Sequence, residues 1–298
     1  MKGELEKFMH YLHIEKGFSQ GTIEAYQLDL GKGLGPFLRQ RGKSELREVT
    51  KDDIRAYLDY VATARGNCNA TRARKLAAIK SFFNYLVDNQ QLEVNPAASI
   101  RSPKVPEKEP VYLSDEELIR LLRAIARKAR PRVRERDMAI VVLFLHGGLR
   151  VSELTKLELS NVDLESCQIK ITRKGNREQY LHLNRETKTA LVSYLTKRPQ
   201  ARNGTFFVGE SGDGLTRGYV YSLIRRYLKF AGIDKGKRGP HILRHTFCTR
   251  LHRKGVGPFT IKELAGHKSL NTTMRYIKIE NKEQAEAIDK LEFGTQDL

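Results

Sequence analysis

The sequence predicts a mainly α-helical protein of two domains, the second of which carries a small antiparallel β-sheet. Three observations support this fold class. Apolar residues recur at helical spacing over most of the chain, a proline-rich stretch interrupts the pattern near residue 100, and short segments beyond it alternate apolar and polar residues. We expect a helical domain over residues 1–100, a linker over 101–112 and a second domain over 113–298.

The first hundred residues carry the apolar spacing of short amphipathic helices. One apolar stripe, at i, i+3, i+4 and i+7, consists of Leu5, Phe8, Met9 and Leu12. Thr50 and Asp53 have the spacing of a capping box, which marks the start of another helix. The helical pattern ends at Asn95-Pro96, and further prolines follow up to residue 110. Because proline cannot continue a helix, this stretch is predicted to be an extended, semi-rigid linker.

The second domain begins with a capping-box pattern at Ser114 and Glu117, followed by an amphipathic stripe. Residues 138–145 are apolar on every side, which is typical of a helix buried in the centre of a domain. Gly147-Gly148 ends this helix.

A small antiparallel sheet is predicted after the buried helix. Residues 169–172 and 180–183 alternate apolar and polar side chains, the pattern of half-buried strands. The residues 173–177 between them, Arg-Lys-Gly-Asn-Arg, have the composition of a hairpin turn. Helical patterns resume near residue 184 and continue to the end.

The charge of the chain favours a polyanionic partner. Lys and Arg number 54 against 35 Asp and Glu, a formal net charge of +19, and neutralising phosphates with such side chains releases condensed counterions. A basic surface that only aids solubility is the alternative. No membrane partner is expected, because the apolar run 139–145 is too short to span a bilayer and the N-terminus lacks a signal-peptide pattern. The three scattered cysteines are typical of reduced thiols in a cytoplasm.

Familiar cofactor and metal motifs are incomplete in this sequence. The glycine-rich run at residues 31–35 lacks the last glycine of a dinucleotide fingerprint, and the Gly-Lys-Ser ending at residue 44 lacks the leading glycine of a phosphate-binding loop. His241 and His245 have a zinc-like i, i+4 spacing without a third ligand. We therefore expect no cofactor and no metal, and we expect His245 and Thr246 to be structural.

Four segments of the second domain carry polar residues suited to a phosphate. They are HGGLRVSEL (146–154), RKGN (173–176), PHILRHT (240–246) and LAGHKSLNTTMRY (264–276). With these segments in this order and spacing, the chain resembles the tyrosine recombinases, also called the phage-integrase family, and within them the compact Xer type. The resemblance covers nearly the whole chain. It implies a C-shaped, two-domain DNA clamp with the tyrosine-recombinase catalytic fold and a SAM-like, core-DNA-binding N-terminal domain.

The resemblance also implies roles for individual residues. The catalytic set is Arg150, Lys174, His241, Arg244, His267 and Tyr276, with Glu153 in support. The two arginines would clamp the scissile phosphate, and the tyrosine would be the nucleophile. The lysine would act as general acid on the leaving oxygen. His241 would handle the proton of the nucleophile, His267 would donate a hydrogen bond to the phosphate, and the glutamate would orient its neighbours.

These residue types also suit the chemistry independently of the resemblance. Breaking a phosphodiester without water or ATP calls for a protein nucleophile that keeps the bond energy in a covalent intermediate. A tyrosine oxygen can do so, but its unperturbed pKa of about 10 means that it needs help to lose its proton. Two always-charged, bidentate guanidinium groups match the negative charge of the pentacoordinate transition state. Each residue alone has an ordinary structural interpretation, and the prediction rests on the joint pattern.

Basic side chains outside the catalytic set are predicted to contact DNA. They are Arg72, Arg74, Lys75 and Lys80 of the N-terminal domain and Arg173 and Arg177 of the hairpin. The resemblance implies a double-stranded DNA recombination site as partner, dimers on DNA and synaptic tetramers coupled by the tail after Tyr276, in a cytoplasmic, nucleoid-associated protein. A second recombinase or an activator stays open as a partner, and so does packing of the tail on its own domain.

Three functions follow as hypotheses. The first is site-specific recombination through a 3′-phosphotyrosine and a Holliday junction, for chromosome or plasmid dimer resolution or for integration and excision of a mobile element. The second is a type IB topoisomerase-like enzyme that only relaxes supercoils, and the third is a DNA-binding protein without catalysis. The helical N-terminal domain and the tail favour the first over the second. The complete set of catalytic side chains disfavours the third.

Overall fold

The computed structural model of the chain describes residues 2–106, 110–173, 177–236 and 239–276. The chain divides into two compact units, residues 1–107 and 108–298, and each has its own apolar core. The boundary lies within the proline-rich stretch for which the sequence predicts a linker. Helices dominate both units and the second holds a three-stranded antiparallel sheet, which confirms the predicted mainly helical fold class.

The first unit is a helical bundle with an aromatic core. Its elements are α1 (Lys2–Ile14), α2 (Gln20–Gln27), a π-helical segment (Leu28–Leu34), α3 (Gly35–Gln40), a 3-10 helix (Leu46–Glu48), α4 (Lys51–Thr63) and α5 (Asn69–Asp88). Phe8 and Leu12 of the predicted stripe are buried, and Phe8 packs edge-on against Phe82 of α5. The capping box is confirmed. The Thr50 hydroxyl accepts a hydrogen bond from the amide N–H of Asp53, and the Asp53 carboxylate accepts one from the amide N–H of Thr50.

The second unit is built around one buried helix. Its helices are α6 (Asp115–Lys128), α7 (Arg134–Gly147), α8 (Val151–Thr155), a 3-10 helix (Leu159–Asn161), α9 (Arg185–Leu195), α10 (Arg217–Phe230), α11 (Pro240–Arg253), α12 (Pro258–Ala265) and α13 (Leu270–Met274). Every residue from 139 to 145 in α7 is buried, which confirms the predicted central helix. Within the described ranges, no helix is both long enough and apolar enough to cross a membrane.

The sheet of the second unit consists of β1 (Val162–Asp163), β2 (Gln168–Arg173) and β3 (Arg177–His182), in that order and antiparallel. Ile169 pairs with Leu181, and both side chains face the core. Arg173 pairs with Arg177 at the end of the ladder where residues 174–176 connect the two strands. The strands therefore follow the predicted alternation. Arg173 and Arg177, the two ends of the predicted turn, belong to the strands, and residues 174–176 lie outside the described residues.

Two glycines in the left-handed conformation end α7 and α12. At Gly148, with φ of 57°, an added Cβ would lie 2.3 Å from a ring carbon of Phe247. At Gly266, with φ of 63°, an added Cβ would lie 2.7 Å from Nε of Arg173. Only glycine combines this backbone conformation with such close approach, so both positions turn the chain sharply where polar side chains converge.

Candidate active site

Three guanidinium groups and one carboxylate meet beside the ends of α7 and α12. Arg150 precedes α8, Arg173 ends β2, and Arg244 lies in the second turn of α11. The carboxylate belongs to Glu153 of α8 and is buried. Its Oε1 lies 2.8 Å from Nη1 of Arg150, and its Oε2 lies 2.7 Å from Nη1 of Arg173. We refer to these four residues as the arginine cluster.

The C-terminal end of α12 holds the arginine cluster through backbone carbonyls. The last carbonyl groups of a helix lack partners in the helical ladder and form the negative end of the helix dipole. Four consecutive carbonyl oxygens accept side-chain hydrogen bonds here: Glu263 from Gln179 (2.9 Å), Leu264 from Arg173 (2.8 Å), Ala265 from Arg244 (2.6 Å) and Gly266 from Arg150 (2.7 Å). Side chains from β2, β3, α11 and the start of α8 are thereby fixed to one helix end.

The arginine cluster keeps an excess of positive charge. Arg150 and Arg173 share the carboxylate of Glu153, whereas Arg244 donates to the neutral carbonyl oxygens of Gly148 and Ala265. Burial and the neighbouring Arg150 lower the pKa of Arg244 to about 10, so its guanidinium remains charged at neutral pH. Burial also lowers the pKa of Arg173. Because buried charge without a counter-ion is unfavourable, the cluster favours binding of an anion.

Tyr276 packs next to this cluster with its hydroxyl engaged. Its side chain is 8% exposed, its Oη lies 2.6 Å from Nδ1 of His245, and its ring stacks on that of His267 with centroids 5.9 Å apart. Burial raises the pKa of Tyr276 to about 12, although the charges of Arg244 and Arg275 act to lower it. The hydroxyl is therefore protonated at neutral pH, and it needs a proton acceptor before it can act as a nucleophile.

His267 is neutral in this environment. It is 7% exposed, and its Nδ1 lies 2.9 Å from Oγ1 of Thr273. Burial, followed by the charges of Arg244 and Arg150, lowers the pKa of His267 to about 3. A neutral imidazole keeps one N–H group, which can serve as a hydrogen-bond donor to an anion without adding charge.

The remaining two members of the predicted catalytic set, His241 and Lys174, are not among the residues that the structure brings together at the arginine cluster. His241 is exposed in the first turn of α11, and its ring packs edge-on against Tyr221 with centroids 6.3 Å apart. Lys174 follows directly after β2 and lies outside the described residues. The described members that the structure brings together are Arg150, Glu153, Arg244, His267 and Tyr276.

Sequence reasoning missed the contact made by His245. The sequence predicts that this residue packs within its helix, whereas the structure brings its imidazole to the hydroxyl of Tyr276, 31 residues further along. The available signal is the i, i+4 spacing of His241 and His245, which puts both imidazoles on one face of α11. Thr246 has the structural role predicted for it, because its hydroxyl accepts the amide N–H of Leu113 at 2.9 Å.

The basic residues of α5 that are predicted to contact DNA have protein partners. Arg74 is exposed and Lys75 is half-buried, and both pair with the buried carboxylate of Asp29 in the π-helical segment. Nζ of Lys75 lies 2.7 Å from that carboxylate. Arg72 donates to the side chain of a neighbouring asparagine, and Nζ of Lys80 donates to a backbone carbonyl at 2.9 Å. Arg74 is therefore the most accessible of the four for a phosphate.

The two hairpin arginines differ in exposure. Arg177 is exposed, as a DNA contact requires. Arg173 is 8% exposed, and its guanidinium donates to Glu153, Gln179 and the carbonyl of Leu264. Because these internal acceptors surround its guanidinium, the structure favours a supporting role for Arg173 over the predicted DNA contact.

Comparison with known proteins covers both units of the chain. Residues 112–283 match the phage integrase family, and residues 5–90 match the N-terminal SAM-like domain of phage integrases. The tyrosine recombinase XerC of Caldanaerobacter subterraneus subsp. tengcongensis is 32% identical, over 96% of this chain and 86% of that protein. XerC of Myxococcus xanthus is 35% identical over 92% of both chains. XerD of Listeria innocua is 30% identical, over 94% and 95%.

Solved structures agree with this assignment. The XerH site-specific recombinase bound to its difH substrate in a pre-cleavage complex is 27% identical, with a TM-score of 0.74 over 91% of this chain and 79% of that one. A lambda integrase dimer bound to a core site shares the fold at 18% identity, with a TM-score of 0.72 over 94% and 99%. The chain therefore belongs to the phage integrase family and is an enzyme of the Xer type of tyrosine recombinases.

Proposed function

We propose that this protein cleaves and rejoins double-stranded DNA at a specific site, through a 3′-phosphotyrosine at Tyr276 and a Holliday junction. One observation carries the proposal: Tyr276 lies beside the buried Arg244, in a cluster where Arg150 and Arg173 share the carboxylate of Glu153. Such an arrangement binds a phosphodiester and offsets the charge that develops on its non-bridging oxygens. The relatives named as tyrosine recombinases support the same chemistry.

Arg150 and Arg244 are the groups that we propose to hold the scissile phosphate. Both are fixed by carbonyl groups at the end of α12 before any DNA binds, so little reorganisation is needed during the reaction. His267 supplies a neutral hydrogen-bond donor beside them. Glu153 and Arg173 hold the site from within, because they bridge α8 to the end of β2.

Two further roles in the proposal rest on the sequence. Lys174, directly after β2, protonates the leaving 5′ oxygen, as a lysine at a hairpin turn can do. His241, in the first turn of α11, takes the proton of the nucleophile. No cofactor enters this scheme, because the arginines supply the positive charge that the transition state needs.

We also propose how the protein engages DNA. The net charge of +19 and the exposed Arg74 and Arg177 supply contacts to the phosphate backbone. A dimer would occupy the recombination site and two dimers would form the synaptic tetramer, with a second recombinase or an activator as a further partner. The lambda integrase dimer on its core site supports the first step. The tail proposed to couple the protomers, residues 277–298, lies outside the described residues.

The test of this function uses a nicked suicide duplex that carries the host's candidate recombination site. After cleavage the short 5′ fragment diffuses away, so the covalent protein–DNA adduct accumulates and can be read on a denaturing gel. We expect an adduct with the native protein, none with Tyr276→Phe, and an unchanged yield with Tyr180→Phe, a matched change at an exposed tyrosine of β3. An adduct that persists in Tyr276→Phe would contradict the proposal.

A second assay separates recombination from simple relaxation. A plasmid with two copies of the site should give recombinant products if the enzyme exchanges strands. An enzyme that only relaxes supercoils would form the adduct and change the topoisomers without producing recombinants. A non-catalytic DNA-binding protein would bind the duplex and give neither product.

A further inference from the structure

The imidazole of His267 is held at one of its two ring nitrogens. Nδ1 lies 2.9 Å from Oγ1 of Thr273, a residue of α13, and both side chains are buried. The backbone N–H of His267 donates to the carbonyl oxygen of Lys262 at 2.9 Å, and the ring stacks on that of Tyr276. The backbone, one ring face and Nδ1 are thus fixed, so Nε2 is the nitrogen through which this ring can bind a ligand.

The single proton of the neutral imidazole can lie on either nitrogen. Burial, followed by the charges of Arg244 and Arg150, lowers the pKa of His267 to about 3, so at neutral pH the ring has one N–H group and one lone pair. A proton on Nε2 makes that nitrogen a donor, whereas a proton on Nδ1 leaves a lone pair on Nε2. A lone pair there would face the oxygen lone pairs of a phosphate. The tautomer therefore decides whether His267 favours or opposes anion binding.

The hydrogen-bond partner of Nδ1 selects the tautomer. A carbonyl or carboxylate beside Nδ1, the common arrangement in proteins, can only accept and so keeps the proton on Nδ1. Thr273 brings a hydroxyl, which has a proton of its own to donate. The Thr246 hydroxyl in α11 donates to the carbonyl of Ile242, four residues before it, at 2.8 Å. In the part of the chain that the structure describes, the Thr273 hydroxyl makes its hydrogen bond with His267 instead.

We propose that Thr273 is a positioning residue whose hydroxyl donates to Nδ1 of His267, so that the imidazole proton lies on Nε2 and is donated to the scissile phosphate. This inference rests on the proposed recombinase function, in which His267 is a hydrogen-bond donor. Thr273 is fully buried, so it acts through the imidazole and not by touching DNA. No proton is transferred in this role.

Thr273 also connects the phosphate donor to the nucleophile. Its carbonyl oxygen accepts the backbone N–H of Tyr276 at 2.9 Å, while its hydroxyl contacts His267. One residue of α13 therefore holds both groups in register. Because the first contact uses the backbone and the second the side chain, a substitution that removes the hydroxyl leaves the contact with Tyr276 in place.

The first test removes the hydroxyl of Thr273 and keeps the shape of the side chain. Thr273→Val should lower the single-turnover rate of adduct formation on the nicked duplex about tenfold, with DNA affinity unchanged, as expected for loss of the partner that orients a ligand-binding histidine. Thr273→Ser keeps the hydroxyl and should react within about threefold of the native rate. Thr272→Val, the same change at the exposed neighbouring position, is the control and should keep the native rate.

A double-mutant cycle shows whether the effect passes through the imidazole. His267→Leu removes both ring nitrogens, and in that background Thr273→Val should change the rate less than about twofold. Two independent structural defects would instead multiply. Urea denaturation of each variant checks that the proteins compared are folded.

The tautomer can also be measured directly, on the full chain without DNA. Nitrogen NMR of isotope-labelled histidine distinguishes a ring nitrogen that carries a proton from one that carries a lone pair. The signals of His267 are those absent from the spectrum of His267→Leu. At neutral pH we expect the proton on Nε2 in the native protein and in Thr273→Ser, and both tautomers in Thr273→Val.

Three results would overturn the inference. A proton on Nδ1 in the native protein would show that the Thr273 hydroxyl accepts. A rate for Thr273→Val within about threefold of native would show that the hydroxyl is not needed, and an equal loss in the His267→Leu background would show that Thr273 acts elsewhere. Absence of an adduct with the native protein on a duplex that it binds would instead refute the proposed function, and the NMR measurement, which needs no DNA, is independent of that outcome.

Discussion

Each unit of this protein contains a buried carboxylate that pairs with two basic side chains, and the clusters around Asp29 and Glu153 have different consequences. In the first unit Asp29 pairs with Arg74 and Lys75, whose side chains are 45% and 12% exposed. In the second unit Glu153 pairs with Arg150 and Arg173, whose side chains are 30% and 7% exposed. The ion pairs of the two clusters are alike, but among the described residues a third guanidinium, that of Arg244, lies beside the cluster of the second unit.

That third guanidinium explains the difference between the two clusters. Arg244 is 6% exposed and is held by the carbonyl oxygens of Gly148 and Ala265, which carry only partial charges. The cluster of the second unit therefore has two positive charges beyond its carboxylate, and they lie beside Tyr276. In the first unit the surplus charge is on a side chain open to water, where solvent screens it. Similar ion pairs therefore leave a screened charge in the first unit and, together with Arg244, a cluster that favours binding of an anion in the second.

Arg244→Ala should have the largest effect, because it removes the feature that separates the two clusters. We expect the single-turnover rate of DNA cleavage to fall about 10³-fold, the loss that follows removal of one donor to a developing oxyanion. The measurement is adduct formation on the nicked duplex, with Arg253→Ala, an exposed arginine of the same helix, as control. An equal loss in both variants would show that the effect reflects general DNA binding.

Glu153→Gln should affect both stability and cleavage. The substitution keeps the shape of the side chain but leaves the buried Arg173 without its counter-charge, so the free energy of unfolding should fall by about 3 kcal/mol. Cleavage should also fall about tenfold or more, because Arg150 loses the group that orients it. Urea denaturation and adduct formation measure the two effects. Glu158→Gln, at an exposed position, is the control, and unchanged stability in Glu153→Gln would contradict this account.

Asp29→Asn should affect stability alone. We expect a loss of about 2 kcal/mol in the free energy of unfolding, smaller than for Glu153→Gln because water can solvate the half-exposed Arg74. Once DNA is saturating, the cleavage rate should match that of the native protein, since this cluster lies in the other unit. Asp59→Asn, an exposed change on α4, is the control for the denaturation measurement. A cleavage defect as large as that of Glu153→Gln would refute the distinction drawn between the clusters.

Features that depend on local sequence were predictable. The buried α7, the strand alternation around Ile169 and the capping box at Thr50 each follow from residues within one turn or one strand of each other. The motifs also indicated that Arg150 and Arg244 act together, because the family resemblance supplies their spacing. The structure adds what holds them, which is the carbonyl end of α12.

Features that depend on contacts between distant segments were not predictable. Arg173 was expected on a DNA-facing hairpin, but one carbonyl that accepts a hydrogen bond from its guanidinium belongs to a residue 91 positions further along the chain. The contact between His245 and Tyr276 spans 31 positions and depends on how α11 packs against the segment after α13. Asp29 gave no signal, because a lone acidic residue in a helical segment is usually solvated. In the folded protein Asp29 is buried, and its carboxylate pairs with Arg74 and Lys75 of α5.

The smallest predicted effect concerns His267 and the pH dependence of stability. The folded protein holds the pKa of His267 near 3, whereas an unfolded histidine titrates near 6.5. Below pH 6.5 the unfolded chain therefore binds a proton that the folded chain does not, and stability falls as the pH falls. Between pH 7 and pH 5.5 we expect this residue to cost about 1 kcal/mol in the free energy of unfolding.

Comparison with His267→Gln isolates that contribution, because glutamine does not titrate and all other groups are common to both proteins. Burial also lowers the pKa of His146, for example, but this residue is present in both and cancels from the difference. Urea denaturation at a series of pH values should show a steeper loss of stability for the native protein than for the variant below pH 6.5. Parallel curves would mean that His267 takes up a proton as readily in the folded as in the unfolded state. The description of a buried imidazole that stays neutral beside Tyr276 would then be wrong.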